Sequence, residues 1–202
     1  MFSPLTKQLI DALRALPGVG PKTAQRMAYQ LLTAKGREKA AALSEALKQA
    51  VLSVGECVRC RQFTERTCCD LCDNSKRDQT LLCIVESPAD VIAVEQTHAF
   101  RGIYFVLHGH LSPLDGVSPL QLGIPHLLLR LQNEPIREII LATNPTVEGR
   151  ATAQYIANQV DVTRMICTRI AHGVPIGGEL EYLDGGTLSH AFYSRQPISS
   201  SR

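Results

Sequence analysis

Four cysteines arranged as two pairs carry the strongest chemical signal in this 202-residue chain. In the stretch CVRCRQFTERTCCDLC, Cys57 pairs with Cys60 and Cys69 pairs with Cys72, and eight residues separate the pairs. Thiolates three positions apart converge on one point from a tight turn, about 2.3 Å from each sulfur. Two such pairs supply the four ligands of a tetrahedral ion, so the spacing predicts one structural Zn²⁺ per chain.

Two other uses of these cysteines stay open: an iron–sulfur centre, and free or redox-active thiols. A disulfide pairing needs an oxidising compartment, and the N-terminal residues have no secretory signal pattern. Cys68 is an alternative to Cys69, but its spacing to Cys72 would become CxxxC, so we prefer Cys69. Four thiolates leave no position for water, which predicts an ion that holds structure rather than one that does chemistry.

A glycine-bracketed turn is the second chemical signal. In LPGVGPKTAQRMA (residues 16–28), Gly18 and Gly20 flank Val19, so the backbone can turn sharply and expose amide groups at the N-terminus of the next helix. Such an arrangement binds phosphate, and Lys22 and Arg26, one helical turn apart, would add charge on the same side. The pattern resembles the helix-hairpin-helix, a DNA-binding motif without sequence preference. The alternative is a tight helical hairpin that binds no ligand.

Charge is distributed unevenly along the chain, although the net charge is only +2. Residues 1–56 hold eight Lys/Arg against four Asp/Glu, whereas residues 81–202 hold eight against eleven. Ordinary solvated helix faces would explain this distribution equally well by charge alone. If the chain has a polyanion site, it therefore belongs to the first third.

The elements that must position these residues fall into two patterns. Residues 1–56 predict three helices: the first starts at Ser3-Pro4 and stops at Pro17-Gly18, and the other two follow apolar stripes. From residue 81 onward the pattern predicts apolar strands at 81–86, 102–109, 138–144 and 162–170. Helices alternate with these strands, one after Ser87-Pro88 and the others at 125–132 and 147–160. The last residues predict turns and a short helix near Leu188. Continuous apolar strands joined by helices favour a parallel sheet covered on both faces.

Polar residues follow two of these strands, at the edge of a parallel sheet where functional groups gather. Glu86 closes the first strand, and Asn144, Thr146 and Glu148 follow the third. The arrangement resembles the Toprim domain of topoisomerases, primases and certain nucleases, in which a Glu and an Asp-x-Asp pair hold Mg²⁺. Because Asn144 and Thr146 stand at the aspartate positions, Mg²⁺ binding should be severely weakened and we predict no catalysis.

Two further patterns lack the residues that a functional site would need. His108 and His110 flank a glycine after the second strand, but no CxH or HExxH context accompanies them, which favours a polar loop. The stretch HGVPIGGE (residues 172–179) lacks the GxxxxGK[ST] pattern of a nucleotide-binding loop, and turns explain it.

The order of these parts resembles the bacterial RecR family of recombination mediators over nearly the whole chain. The resemblance is carried by the glycine turn, the paired CxxC spacing, VESPAD (85–90), GHLSPLDG (109–116), ATNPTVEG (142–149) and RIAHGVPIGGELE (169–181). The replacements at Asn144 and Thr146 belong to the family's own pattern. The implied fold is a multi-domain α+β protein: a helix-hairpin-helix domain (1–56), a four-cysteine zinc finger (57–72), a Toprim domain (80–175) and a C-terminal extension (176–202).

The function that the resemblance implies is non-enzymatic DNA repair in the cytoplasm, at the nucleoid and away from membranes. Members form ring-like tetramers that encircle DNA, bind RecO and RecF, and help load RecA onto single strands. The resemblance assigns non-specific contacts with single- and double-stranded DNA to Gly18, Gly20, Lys22 and Arg26. It assigns a partner-facing surface to Glu86, Asn144 and Glu148.

Two rival functions stay open from the sequence. A Toprim-type Mg²⁺-dependent nucleic-acid enzyme would need Glu86 and Glu148 to hold a metal. A zinc module that binds only proteins would need no affinity for DNA, and the positive charge of the first 56 residues argues against it.

Overall fold

The computed structural model describes residues 2–161, 163–171, 173–195 and 197. The chain separates into two compact units, residues 1–55 and residues 56–202. A helical unit therefore comes first, and a larger mixed unit follows it.

The N-terminal unit contains three helices, α1 (Pro4–Arg14), α2 (Pro21–Leu32) and α3 (Gly36–Ser53). Ser3 caps α1 as predicted, because its hydroxyl accepts a hydrogen bond from the amide of Thr6 and Pro4 takes the first helical position. The core of this unit is small: three buried residues, Ile10, Ala24 and Ala28, with Leu9, Leu13 and Val19 partly buried against them.

The second unit begins with a short cysteine-rich module. Strand β1 (Gly55–Glu56) pairs with β2 (Phe63–Thr64), and α4 (Asp70–Asp73) follows. These elements are too short to bury an apolar core, so the cysteines are the buried residues of the module.

A four-stranded sheet forms the centre of the second unit, in the order β4-β3-β5-β6, with every pairing parallel. Its strands are β3 (Asp78–Val85), β4 (Gly102–Val106), β5 (Glu138–Ala142) and β6 (Ile166–Arg169). The helices of this unit after α4 are α5 (Pro88–Gln96), α6 (Ile124–Asn133), α7 (Val147–Ala157) and α8 (Gly185–Tyr193), with a 3₁₀ turn at Leu180–Tyr182. The fourth strand is shorter than predicted, since Asp161 accepts hydrogen bonds from Thr163 in a turn, and Val162 lies outside the described residues.

Alternating residues of the central strands enter two different cores. Leu82 and Ile84 join the main apolar cluster with α6 and α7, whereas Cys83 and Val85 join a second cluster with α5. The sheet is therefore covered on both faces, as the continuous apolar strands predicted. Cys83 is fully buried and Cys167 is partly buried against the main cluster, so both behave as small apolar residues.

Residues 173–195 lie largely on the surface in spite of their apolar content. Ile176, Tyr182 and Tyr193 are among the most exposed side chains of the described chain. In the described part of the chain, no helix combines the length and the apolar character that a membrane span requires.

Candidate metal centre and DNA-binding turn

Cys57, Cys60, Cys69 and Cys72 form one buried cluster, in which all four sulfurs lie within 4.8 Å of one another. The sulfurs of Cys60 and Cys69 are 3.4 Å apart. In a tetrahedron with metal–sulfur bonds of 2.3 Å, neighbouring sulfurs lie about 3.8 Å apart. The cluster therefore fits a tetrahedral ion with small side-chain adjustments, and the four residues are able to hold a metal.

Backbone hydrogen bonds shape the two turns that carry these thiols. The first turn closes where the amide of Cys57 donates to the carbonyl of Gln62 (2.8 Å) and the amide of Arg61 donates to the carbonyl of Cys57 (2.9 Å). The second turn begins α4, and its Cys69 amide donates to the sulfur of Cys57 at 3.3 Å. Amide donors of this kind stabilise thiolates, which are the form that binds metal.

The pKa of each thiol in the cluster depends on the neighbouring thiols. Hydrogen bonds from Cys60 and Cys72 lower the pKa of the Cys69 thiol, and the hydrogen bond to Cys69 raises the pKa of Cys60 to about 12. Repulsion among adjacent thiolates has to be offset before all four can ionise. A bound divalent cation supplies that positive charge, which is the condition for four thiolate ligands.

Cys68 lies beside this cluster and outside it. Its sulfur is 4.0 Å from that of Cys57, and its side chain is only partly buried. The four grouped residues are those that the CxxC spacing selected, with Cys69 rather than Cys68.

Three arginines that the sequence reasoning missed join the cysteine module to the sheet. Arg59 donates to the carbonyl of Cys72 (3.1 Å) and forms an ion pair with Glu134. Arg130, whose side chain is 3% exposed, donates through one nitrogen to the carbonyls of Arg59 (3.0 Å) and Tyr104 (2.7 Å). The module and the sheet thus share buried, charge-assisted hydrogen bonds.

Arg61 makes a second connection of the same kind. One of its terminal nitrogens lies 2.6 Å from the carbonyl of Leu122 and within 3.3 Å of the carbonyls of Val106 and Leu107. No periodicity in the sequence marks these arginines. Their only signal is that Arg59 and Arg61 are interspersed with the first cysteine pair.

Glu86, Asn144, Thr146 and Glu148 follow the carboxyl ends of β3 and β5, at the edge of the sheet that resembles the Toprim site and is called the Toprim edge below. Glu86 is buried, and its carboxylate already accepts hydrogen bonds. Its two oxygens accept hydrogen bonds from the backbone amide (2.9 Å) and the side-chain amide (2.7 Å) of Asn144. His110 lies 3.5 Å away through its Nδ1. Where the Toprim pattern has an aspartate that binds metal, Asn144 instead donates hydrogen bonds to Glu86. The carboxylate of Glu86 is therefore held against the segment that follows β5.

The other residues of this edge do not complete a metal site. The hydroxyl of Thr146 caps α7 by accepting from the amide of Gly149 (3.0 Å), while Asn144 and Glu148 are exposed. Among the described residues, the cysteine cluster is the one group of three or more His, Cys, Asp or Glu side chains with metal-binding geometry. The edge thus presents an exposed amide and an exposed carboxylate above a buried Glu86.

The two histidines of the HGH triplet serve separate contacts. The Nε2 atom of His108 lies 2.7 Å from the carbonyl oxygen of Arg61, and its ring lies 5.2 Å from that of Phe63. His110 is instead directed at Glu86. They therefore do not converge on one ion, which agrees with the polar loop that the sequence favoured.

The glycine turn of the N-terminal unit has the expected backbone form. Gly18 adopts φ +76°, the left-handed region that favours glycine, and Gly20 is the N-cap of α2 without a side chain to occupy the first helical amides. A β-carbon at either glycine would meet no protein atom within 4 Å. Val19 anchors the turn in the small core, so the open side of both glycines is left for approach by a ligand.

Lys22 and Arg26 lie one turn apart on α2, beyond these glycines, and both are exposed. The first turn of α2 contains no acidic residue. The positive end of the helix and two cations therefore occur on adjoining parts of one surface, as a phosphate site requires.

Comparison with protein families agrees with these parts of the molecule. The Toprim domain model matches residues 80–171. A model described as RecR, helix-hairpin-helix, matches residues 6–51, and one described as RecR, C-terminal, matches residues 173–196. The chain is thus a Toprim-domain protein with an N-terminal helix-hairpin-helix and a four-cysteine cluster.

Similar proteins identify the family. Proteins named Recombination protein RecR are 64% identical in Coxiella burnetii, 58% identical in Pseudomonas putida and 59% identical in Stutzerimonas stutzeri, each over 98% of both chains. The chain belongs to the RecR family.

Proposed function

We propose that this chain is a non-enzymatic, DNA-binding mediator of recombinational repair, which acts with RecO and RecF to promote loading of RecA onto single-stranded DNA. The observation that carries the proposal is the glycine turn, whose uncapped amides adjoin Lys22 and Arg26 on an exposed part of α2. Membership of the RecR family, whose relatives carry the name Recombination protein RecR, supports the role in recombination.

Binding at this turn is proposed to use phosphate contacts alone. Gly18 and Gly20 let the DNA backbone approach the helix amides, and Lys22 and Arg26 neutralise neighbouring phosphates. Phosphate contacts carry no base information, so single and double strands of any sequence are ligands.

The metal is proposed to be one structural Zn²⁺ per chain, held by Cys57, Cys60, Cys69 and Cys72. A closed, all-thiolate tetrahedron is typical of structural zinc and leaves no position for a substrate. The arginine contacts to Cys72 and to Tyr104 support a role in fixing the module against the sheet.

Self-association into a ring is proposed to give the DNA site its strength. One hairpin offers few phosphates, with dissociation constants of about 10⁻⁴–10⁻⁶ M for non-specific binding, and linked copies gain avidity. Apolar side chains left exposed on α3 and in residues 173–195, among them Leu47, Val51 and Ile176, support burial against other copies.

The partner-facing surface is proposed to lie at the Toprim edge. Asn144 and Glu148 are the exposed members of the predicted set, so they are proposed to contact RecO or RecF directly. Glu86 is buried and hydrogen-bonded to Asn144, so its proposed role is to hold that contact in position.

Salt-dependent binding of the full-length chain tests the DNA site. The variants Lys22→Ala and Arg26→Ala should weaken binding to every sequence alike. Each lost phosphate contact should also flatten the plot of log affinity against log salt by about 0.9 for duplex and about 0.7 for single strands, per engaged subunit. Lys48→Ala, which removes an exposed lysine from α3 in the same unit, is the matched control and should retain the wild-type slope.

Two outcomes would contradict the proposal. An unchanged slope in both variants would move the DNA site away from the glycine turn. Cleavage, joining or primer synthesis in Mg²⁺ or Mn²⁺ that is lost in Glu86→Ala would instead make the chain a Toprim-type enzyme.

A further inference from the structure

An exposed aromatic pair lies beside the two cations of the proposed DNA site. The Tyr29 ring is 6.3 Å from the Phe2 ring, and the two side chains are 48% and 45% exposed. On α2, Tyr29 follows Arg26 by three residues and Lys22 by seven, so the three side chains occupy one stripe of the helix. The stripe thus combines positive charge with an aromatic face.

A shallow depression of about 360 Å³ runs along this stripe. It is lined by the polar and aromatic side chains of α2 and the residue that follows it: Lys22, Gln25, Arg26, Tyr29, Gln30 and Thr33. The Nε2 atom of Gln25 donates to the Tyr29 hydroxyl (3.3 Å), which restrains the ring while leaving its face accessible. No acidic side chain lines the depression, so its charge suits a polyanion.

Aromatic faces distinguish single strands from duplexes. An unpaired base can stack on a tyrosine or phenylalanine ring, whereas a base inside a duplex is stacked between its neighbours and exposes only its edges. Phosphate contacts from Lys22 and Arg26 bind either form. A ring next to those contacts therefore adds affinity for one form alone.

We infer that Tyr29, backed by Phe2, is a base-stacking platform that gives the proposed DNA site a preference for single-stranded DNA. This inference rests on the proposed function, since it requires that Lys22 and Arg26 hold the DNA backbone. The strand passes along the stripe with its phosphates on the cations and one base per site on the Tyr29 ring. Stacking is tolerant of base identity, so the platform adds no sequence preference.

The test compares full-length wild type with Tyr29→Leu on oligothymidylate, on a duplex of equal length and on an abasic strand. Tyr29→Leu should weaken binding to oligothymidylate about tenfold for each engaged subunit, which is the loss expected for one stacked base per site, and should leave duplex binding within about twofold. The salt slope should stay the same, because a neutral ring releases no counterions. Wild type and variant should bind the abasic strand equally, since it offers no base to stack.

The matched control is Tyr155→Leu, which removes an exposed tyrosine from α7 of the second unit and should change none of these affinities. Equal losses on duplex and oligothymidylate, a loss that persists on the abasic strand, or a change in oligomeric mass would overturn the platform. If Lys22→Ala and Arg26→Ala weaken binding while Tyr29→Leu does not, only the platform fails. If the two charge variants have no effect, the proposed DNA site itself fails.

Discussion

The two compact units use their apolar residues in opposite ways. In the described part of the second unit, sixteen buried residues form the main core on one face of the sheet, and five more form a second core on the other face. In the N-terminal unit the buried apolar cluster is Ile10, Ala24 and Ala28, and the large apolar residues of α3 are exposed, including Val51 at 82%. Burial of this extent supports an independent fold in the second unit, whereas the first has little core for its length.

The second unit is the one built for stability, whereas the first unit exposes the residues proposed to act in binding. The second unit holds its shape through the sheet, the cysteine cluster and the arginines that connect them. The N-terminal unit has a small core and an exposed surface that carries charge, glycines and apolar side chains together. Substitutions of buried residues in the second unit should therefore change folding, and substitutions on the surface of the first should change binding or assembly.

Loss of a cysteine ligand should have the largest effect. Cys72→Ser should abolish metal binding and unfold residues 57–72, because structural zinc contributes apparent binding energies of about 10 kcal/mol or more in small zinc modules. Elemental analysis and thermal unfolding measure both results. Cys68→Ser is the control and should keep about one zinc per chain. Retention of zinc by Cys72→Ser would contradict the assignment.

A methyl group at Gly149 should have the next largest effect. The added β-carbon of Gly149→Ala would lie 2.6 Å from Oε1 of Glu86 and collide with the carbonyl of Asn144. Overpacking of this kind costs about 1–3 kcal/mol, and more where backbone must move. Denaturant unfolding measures the loss. Gly185→Ala, whose β-carbon would meet nothing within 4 Å, should be close to neutral, and equal stability of the two variants would contradict the packing argument.

The Arg77–Glu95 ion pair should have a smaller and pH-dependent effect. Hydrogen bonds from Arg77 at 2.9 and 2.6 Å lower the pKa of Glu95 from its ordinary value of 4.5. The ion pair therefore stabilises the folded state above pH 4.5, the ordinary pKa of the carboxyl group. This stabilisation is lost as the pH falls through the lower pKa that Glu95 has in the folded state. Glu95→Gln should remove on the order of 1 kcal/mol at pH 7 and flatten the acid limb of the stability curve.

Melting temperatures between pH 7 and pH 3 measure this difference. Glu179→Gln, at an exposed position of the same unit, should follow the wild-type curve. Parallel curves for Glu95→Gln and wild type would mean that the ion pair contributes nothing to the pH dependence.

An apolar side chain on α3 should have the smallest effect on folding. Leu47 is 57% exposed, so Leu47→Gln should change the free energy of unfolding by no more than about 0.5 kcal/mol. If α3 is buried against other copies, the same change should weaken self-association, which light scattering over a dilution series measures. Lys48→Gln is the control on the same helix. An unchanged mass in Leu47→Gln would remove this face of α3 from the proposed interface.

Much of the architecture was predictable because it depends on local rules. Ser3-Pro4 marks the start of α1, and Ser87 begins α5 through a capping box with Asp90. The four strands of the central sheet were recognisable from their apolar runs and only their ends differ, whereas the two-residue strands β1 and β2 were not predicted. Strand ends are set by the adjoining turns, as the Asp161–Thr163 turn before β6 shows, and the apolar content of the strand does not predict them.

The sequence by itself determined the chemistry that depends on spacing: four convergent thiols, a sharp glycine turn before a helix, and cations one helical turn apart. It also determined which carboxylates are missing from the Toprim edge, because residue types are read directly. Only the tertiary structure decided that Glu86 is buried against Asn144, that Arg130 connects the cysteine module to β4, and that Phe2 meets Tyr29. These contacts join residues between 26 and 71 positions apart, and such pairings are fixed by packing rather than by local backbone preference.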